Sequence, residues 1–200
     1  EILSGLVGSE MCIRDRTKTI AYMAMFMALQ VVLELAFKVV PGQPQGGSIT
    51  LSLVPILLAS YLLGGYYGIV VGACCCGLHF VLGLATYWGP WSLFLDYLIP
   101  LAVIGIASFF KNFEIKGHVV YPGIIVVMIL KFISHYLSGA WLFGAYAPEG
   151  MNPWWYSFGY NLAYCLPTLI ICYIGFALIY PRLNNCLLYT SPSPRDQRGS

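Results

Sequence analysis

The sequence predicts an all-α integral membrane protein, a bundle of six transmembrane helices with both termini in the cytoplasm. Of its 200 residues, 59% are apolar and only 9% are charged, whereas a soluble domain has about 25% charged residues. Apolar segments, most of them near the roughly 20 residues that cross a bilayer, alternate with short breaks. The basic residues between these segments fall on one side of the expected membrane.

Six apolar segments follow one another along the chain. The breaks between them contain Gly and Pro, which end helices. Because no water reaches the backbone within lipid, each segment is expected to be helical. The second segment is short, so we expect it to be tilted or partly irregular. The expected spans are Lys18–Val40, Ile49–Leu63, Tyr66–Ala85, Trp91–Phe110, Val119–Tyr146 and Trp154–Tyr180.

The two ends of the sequence differ from the rest. Residues 1–16 and 187–200 have neither helical periodicity nor a continuous apolar run, and they resemble translated adapter sequence. Residues 1–16 also lack the basic start and the apolar core of a signal peptide. We expect both segments to be non-native and disordered. Residues 17–183 are then the six-helix transmembrane domain that binds the substrate.

Basic residues determine the expected orientation. Lys18 precedes the first span, Lys111 and Lys116 follow the fourth, and Arg182 follows the sixth. With six spans these positions share one side, which the positive-inside rule assigns to the cytoplasm. Tryptophans crowd the opposite side, as they do in interfacial belts: Trp88, Trp91, Trp154 and Trp155.

Several classes of protein are disfavoured. A formal net charge of +2 without a basic stripe does not suit a nucleic-acid partner. The seven cysteines lack metal-ligand spacing, so we interpret them as packing residues. Hydrolase, metalloprotease and phosphate-binding motifs are missing. Ser134 and His135 are neighbours on a helix and point apart, which does not suit a triad with Asp96. We expect no catalysis, no metal and no cofactor.

Three polar residues inside the spans predict a site, because intramembrane polar groups are costly. At 1.5 Å per residue, Asp96 lies about 8 Å, Asn161 about 10 Å and His135 about 12–16 Å below the expected outer surface. They therefore converge on one level. Aromatic side chains, which suit flat or cationic ligands, lie near that level: Tyr87, Trp88, Tyr97, Trp141, Phe143, Tyr156 and Tyr160.

Each of these residues also has a structural interpretation. Asp96 could form a bridge with Lys131, and His135 could be a packed core histidine. Asn161 could join two helices by hydrogen bonds. His79, in the middle of the third span, has no evident partner, and we interpret it as a core residue.

Four stretches, in order, carry a resemblance that covers nearly all of residues 17–183. They are Gly46-Gly47-Ser48-Ile49 with Val54-Pro55-Ile56; Leu95-Asp96-Tyr97 with Gly105 and Phe109; Leu130-Lys131-Phe132-Ile133-Ser134-His135 with Ser138-Gly139; and Tyr156-Ser157 with Tyr160-Asn161. The chain resembles the thiamine-specific substrate-binding subunit (S component) of energy-coupling factor (ECF) transporters. The resemblance implies a bacterial plasma-membrane protein that captures thiamine from outside.

The resemblance also implies roles for single residues. Asp96 corresponds to the acidic residue that faces the cationic thiamine. His135, Tyr156 and Asn161 correspond to polar ligand contacts, and Gly139 to a small residue that leaves room for a ring.

Aromatic contacts differ more from the family pattern. Tyr97 follows the acidic residue, and Tyr87 matches a stacking tyrosine if one residue is inserted before Asp96. Phe143 falls where some members have Trp, and Gly46 and Cys76 also replace a Trp. The details of ring stacking are therefore expected to differ.

Partner contacts are expected on the first span. Ala21, Ala24 and Ala28 form a stripe of small residues, which allows another helix to approach closely. In the family such a motif contacts a membrane coupling subunit driven by two ATPases. Internal packing of the stripe is the alternative. A lid over the ligand is expected at residues 41–48, where Gly and Pro permit movement.

Other functions remain open at this point. The same architecture could serve a riboflavin-, biotin- or pyridoxine-type ligand, although a buried acid argues against an anion such as biotin. A membrane structural protein would use the polar residues only to join helices. A solitary secondary transporter is disfavoured, since the sequence has no internal repeat or paired broken helices.

Overall fold

The computed structural model describes residues 2–37, 46–115 and 117–190, with the side chains of 2–15 and 186–190 left aside. Within these ranges the backbone forms six main helices and one short hairpin. The helices are α1 (Ile2–Phe37), α2 (Val54–Leu63), α3 (Gly65–Val81), α4 (Pro90–Ile104), α5 (Pro122–Trp141) and α6 (Pro153–Thr190). Short 3₁₀ turns cover Ala107–Phe109 and Gly144–Tyr146.

Two expectations about secondary structure need correction. The fold is mainly but not entirely helical, because β1 (Phe113–Ile115) and β2 (His118–Val120) pair antiparallel after α4. The expected disorder of the ends does not hold for residues 2–16 and 187–190, which are helical. Once an apolar span has formed a helix, each further residue adds one hydrogen bond, so α1 and α6 extend beyond it. Residues 191–200 lie outside the described residues.

Three of the helices are long and apolar enough to cross a membrane. These segments are Arg16–Phe37, Pro122–Trp141 and Pro153–Asn185. The three other apolar helices, α2, α3 and α4, are shorter than 18 residues. Each of the six spans that the sequence predicts therefore overlaps one of these helices. Their apolar composition and length are typical of a multi-pass membrane protein.

The core of the bundle surrounds α2. Its residues 54–60 are all buried, as expected of a helix that is apolar on every side. Helices α1, α3 and α6 pack around it. A ten-residue helix is thus stabilised by its neighbours rather than by its own length.

Glycines bring α3 against α4. A Cβ on Gly72 would overlap the carbonyl of Leu101, and one on Gly105 would overlap the backbone of Gly68. Small residues at such positions let two backbones approach closely. In the same region, Ser60 Oγ donates to the Gly105 carbonyl at 2.5 Å, which joins α2 to the end of α4.

Helix α4 is irregular where it carries its acidic residue. Residues Leu93–Leu98 form a π-helical segment, and Pro100 follows two residues later. Proline has no N–H and its ring crowds the carbonyl four residues earlier, here that of Asp96. The α-helical hydrogen-bond pattern therefore cannot continue through Asp96, and π-helical turns of this kind are frequent at functional sites.

An aromatic cluster fills one end of the bundle. Tyr61 closes α2, Tyr121 precedes α5, and Phe176 and Tyr180 belong to the last part of α6. Ring centroids are 4.8 Å apart for Tyr61 and Phe176, and 5.0 Å for Tyr121 and Phe176. We refer to these four residues as the aromatic cluster.

Candidate ligand-binding site

A cavity of about 440 Å³ lies near the opposite end of α5 and α6 from the aromatic cluster. Helices α1, α3, α4, α5 and α6 line it, together with parts of residues 46–53 and 84–88. The first of these loops contributes Gly46, Gly47 and Ser48, and the second contributes Thr86 and Trp88. The volume falls within the usual range of small-molecule sites.

Asp96 and His135 form the centre of the polar lining. His135 Nδ1 lies 3.5 Å from Asp96 Oδ1, and Ser92 Oγ donates to Asp96 Oδ2 at 2.7 Å. Their side chains are 14% and 19% exposed for His135 and Asp96, so both can be reached from the cavity. The structure brings together a carboxylate and an imidazole that are 39 residues apart in the sequence.

The irregular turn of α4 is tied to α5 at this point. Ser134 Oγ donates to the Leu95 carbonyl at 2.6 Å. This bond satisfies a carbonyl within the π-helical segment and joins the neighbours of Asp96 and His135. Ser134 thereby ties together the two helices that carry the pair.

Asn161 connects α6 to α5. Its Nδ2 donates to the His135 carbonyl at 3.3 Å and to the Ser157 carbonyl at 2.9 Å. Tyr164 donates its hydroxyl hydrogen to Asn161 Oδ1 at 2.5 Å. Asn161 lines the cavity and also joins helices, so the structure realises its structural interpretation, while its contact with a ligand stays a prediction.

Lys131 does not bridge to Asp96 among the described residues. Its Nζ lies 5.6 Å from the centre of the Tyr164 ring, a cation–π arrangement. Lys131 is 8% exposed and lines the cavity. The alternative of an Asp96–Lys131 bridge is therefore replaced by the Asp96–His135 contact.

Four other predicted residues line the cavity. They are Tyr97, Gly139, Phe143 and Tyr156. The Tyr97 hydroxyl donates to the Thr86 carbonyl at 3.3 Å. A Cβ on Gly139 would overlap Ser157 Oγ, so this glycine also permits the close approach of α5 and α6.

Tyr87 does not line the cavity. Its side chain is 61% exposed, and its ring packs against Phe80 at 6.4 Å. The neighbouring Trp88 lines the cavity instead, with its ring 5.9 Å from Phe143. Of these two neighbours only Trp88 faces the cavity, because the direction of a loop side chain depends on backbone turns that spacing does not encode.

The segment before α2 closes one wall of the cavity. Tyr160 donates its hydroxyl hydrogen to the Gly46 carbonyl at 2.7 Å. Gly47 has φ +89°, and a Cβ there would lie 2.6 Å from the Tyr164 ring. Only glycine meets both conditions at low cost. Of the segment predicted as a lid, Gly46 and Gly47 lie against α6, whereas residues 41–45 lie outside the described residues.

The sequence interpretation missed some of the lining. Glu34 of α1 lines the cavity, and Ser52 Oγ donates to its carboxylate at 2.5 Å. The signal was available, because an acid inside an apolar span marks a site. His79 also lines the cavity and has a partner, since its Nε2 lies 3.1 Å from Gln30 Oε1. Spacing alone could not reveal this contact between α1 and α3.

The stripe of alanines faces outward from the bundle. Ala21, Ala24 and Ala28 are all exposed on α1. They lie on the opposite side of the helix from the buried Phe26 and Gln30. Internal packing of this stripe is therefore not what the structure shows.

Fold and cavity together define a multi-pass membrane protein with a partly polar cavity of small-molecule size. A sequence model of the family described as thiamine transporter protein (Thia_YuaJ) matches residues 20–187. The chain belongs to this family, which is one of plasma-membrane transporters and not of enzymes.

Individual relatives agree with the family. The thiamine transporter ThiT of Bacillus subtilis (strain 168) is 32% identical over 173 residues, which cover 80% of this chain and 90% of that protein. ThiT of Lacticaseibacillus paracasei is 30% identical over 116 residues, covering 51% of this chain and 57% of that protein. A solved structure of ThiT from Listeria monocytogenes has a TM-score of 0.67 at 19% identity, covering 84% of this chain and 96% of that one, and shows the same fold.

Proposed function

We propose that this chain is the thiamine-binding S component of an ECF-type importer and captures thiamine from the extracellular side. The observation that carries the proposal is the cavity in which Asp96 and His135 lie 3.5 Å apart among aromatic side chains. Membership of a family described as thiamine transporters supports this choice of ligand.

Charge supports a cationic ligand. The thiazolium ring of thiamine has a permanent positive charge, and a buried carboxylate gains most from a ligand that supplies the missing counter-charge. Asp96 accepts a hydrogen bond from Ser92 and contacts His135, so it is held in one position. Asp96 would face the thiazolium, and His135 would contact the polar edge of the ligand.

The shape of the lining supports a ligand with flat rings. Tyr97, Phe143, Tyr156 and Trp88 contribute aromatic surface, which stacks on rings and attracts cations. Asn161 and Tyr156 would supply polar contacts. Gly139 lines the cavity beside them, and its missing side chain lets Ser157 and Asn161 lie close to α5.

The proposed topology has six crossings with both termini in the cytoplasm. Three helices are long and apolar enough to cross the bilayer, and the three shorter ones would cross within the bundle. The basic loop after α4 and Arg182 on α6 would lie in the cytoplasm. The cavity then opens toward the outer side, where Trp88 and Trp154 are found.

Energy would come from partner subunits. The exposed alanines at 21, 24 and 28 offer a smooth helix surface to a coupling subunit, which two ATPases would drive. Thiamine would enter beneath the segment before α2, and residues 41–48 would cover it. This chain would bind the ligand without chemical change.

Titration of the detergent-purified protein with thiamine tests the proposal, with tryptophan fluorescence as the signal. Saturable quenching is expected because Trp88 lines the cavity. Riboflavin, biotin and pyridoxine are the control ligands. A folded protein that ignores thiamine but responds to one of these would contradict the choice of ligand. A protein that responds to none would favour a structural role.

A further inference from the structure

Glu34 is a second carboxylate of the cavity, and the proposed function has not used it. It lies near the end of α1, is partly buried, and accepts a hydrogen bond from Ser52 Oγ at 2.5 Å. Ser52 is 1% exposed. The carboxylate is thus held at the cavity wall by a buried donor, unlike a surface acid that moves freely.

The donor is itself fixed to the rest of the bundle. The Ser52 amide donates to Thr50 Oγ1 at 3.0 Å, and the Thr50 amide donates to Thr168 Oγ1 at 3.4 Å. This chain of hydrogen bonds runs from α1 through the loop before α2 to α6. Such a network holds Glu34 in one orientation, which a group that recognises a ligand requires.

The charges of the lining do not cancel. Among the described residues, Glu34 and Asp96 are negative and Lys131 is positive. With its histidines neutral, this part of the cavity has one negative charge in excess. An unbalanced charge away from water is costly, and a ligand with a single positive charge removes the excess.

We propose that Glu34 determines specificity by giving the cavity its net negative charge and thereby selecting a monocation. The inference rests on the proposed function, since it assigns to Glu34 part of the recognition of the thiazolium. Asp96 and Lys131 contribute opposite charges to the lining, so its excess of negative charge depends on the second carboxylate.

Four variants and two ligands test this. Thiamine is compared with an isostere in which the thiazolium is replaced by an uncharged thiophene ring, both measured by titration calorimetry. Glu34→Gln should lower the affinity for thiamine by about tenfold, because the cavity loses one of its two negative charges while a cationic ligand keeps its charge. Its affinity for the neutral isostere should change less than about threefold. Ser52→Ala should show a smaller loss, again for the cation alone. Glu149→Gln, an exposed loop acid, should change neither.

The outcomes separate the two proposals. If wild-type protein does not bind thiamine, the proposed function fails and this inference fails with it. If it does, an equal loss for both ligands in Glu34→Gln, or no loss, would overturn the inference alone. Should Glu34→Gln fail to fold, Ser52→Ala decides by the same comparison.

The fourth variant, Lys38→Gln, tests whether a lysine four residues after Glu34 in the sequence already neutralises its carboxylate. A tenfold gain in its preference for thiamine would show that Glu34 is already neutralised, which would also overturn the inference. An unchanged preference supports it.

Discussion

Helices α5 and α6 pass through two different environments, a polar cavity at one end and the aromatic cluster at the other. His135 faces the cavity, whereas Tyr121, fourteen residues earlier and about 20 Å away along the axis, is 4% exposed among rings. On α6, Asn161 and Phe176 show the same contrast. The comparison separates residues that are buried in the packed core from residues that line the cavity.

The difference lies in what each set of side chains contacts. Phe176 is fully buried and touches Tyr61, Tyr121 and Tyr180. Asp96 and His135 contact each other but remain open to the cavity. Packing is complete at one end and incomplete at the other, so the polar end has the free surface that binding requires.

The largest expected effect concerns stability alone. Phe176→Ala removes a ring from a filled cluster and should cost about 3–5 kcal/mol, because the cavity left behind cannot collapse. Thermal unfolding in detergent measures this loss. Leu178→Ala, on the exposed side of the same helix, is the control and should cost far less. Thiamine affinity of the folded Phe176→Ala protein should be unchanged, and a large loss of affinity would break the division between the two ends.

Asp96→Asn should have the opposite profile. Loss of the carboxylate removes its attraction to a cation and should lower thiamine affinity about 100-fold, or roughly 3 kcal/mol, with little change in thermal unfolding. The substituted amide still has an oxygen that can accept from Ser92. Calorimetric titration provides the measurement, and an unchanged affinity would exclude charge pairing by Asp96.

Ser134→Ala should affect both properties moderately. The variant leaves the Leu95 carbonyl without its donor, a loss of about 1–2 kcal/mol. Since this bond sets the register of Asp96 against His135, affinity should also fall severalfold. Ser108→Ala is a matched control for stability alone, because its hydroxyl accepts from Ser60 at 3.0 Å and does not line the cavity. Equal affinity in Ser134→Ala and wild type would show that the register is set elsewhere.

Tyr87→Ala should have the smallest effect on binding. Its side chain is exposed and lies outside the cavity lining, so affinity should change less than about twofold. Trp88→Ala, one residue on, should lower affinity more and should reduce fluorescence quenching. If Tyr87→Ala lost more thiamine affinity than Trp88→Ala, then Tyr87, as the family resemblance implies, would be the residue that contacts the ligand.

Hydrophobic patterning predicted six helical segments and the helix that carries each key polar residue. The residues that converge in the cavity, Asp96, His135 and Asn161, could be placed at one depth because helix rise converts sequence position into distance. Their ligand roles stay predictions until binding is measured. Spacing could not show that Asn161 would also be engaged by Tyr164 and Ser157.

Other features depended on contacts between distant segments. The π-helical turn at Asp96 has a local cause in Pro100, yet its stabilisation by Ser134 comes from another helix. Glu34 is not among the predicted site residues, and its place in the cavity wall depends on Ser52, eighteen residues further along the chain. The contact between Gln30 and His79 joins α1 to α3, and the spacing of these two residues in the sequence does not predict it.

The sequence by itself determined that the chain is a helical membrane protein with a few costly polar residues, because composition and periodicity report how each segment partitions between water and lipid. Only the tertiary structure decided which of those polar groups meet, which are engaged by neighbouring helices, and which face a cavity. The physical reason is that helix rotation and crossing are set by side-chain packing between helices, such as that of Gly72 and Gly105.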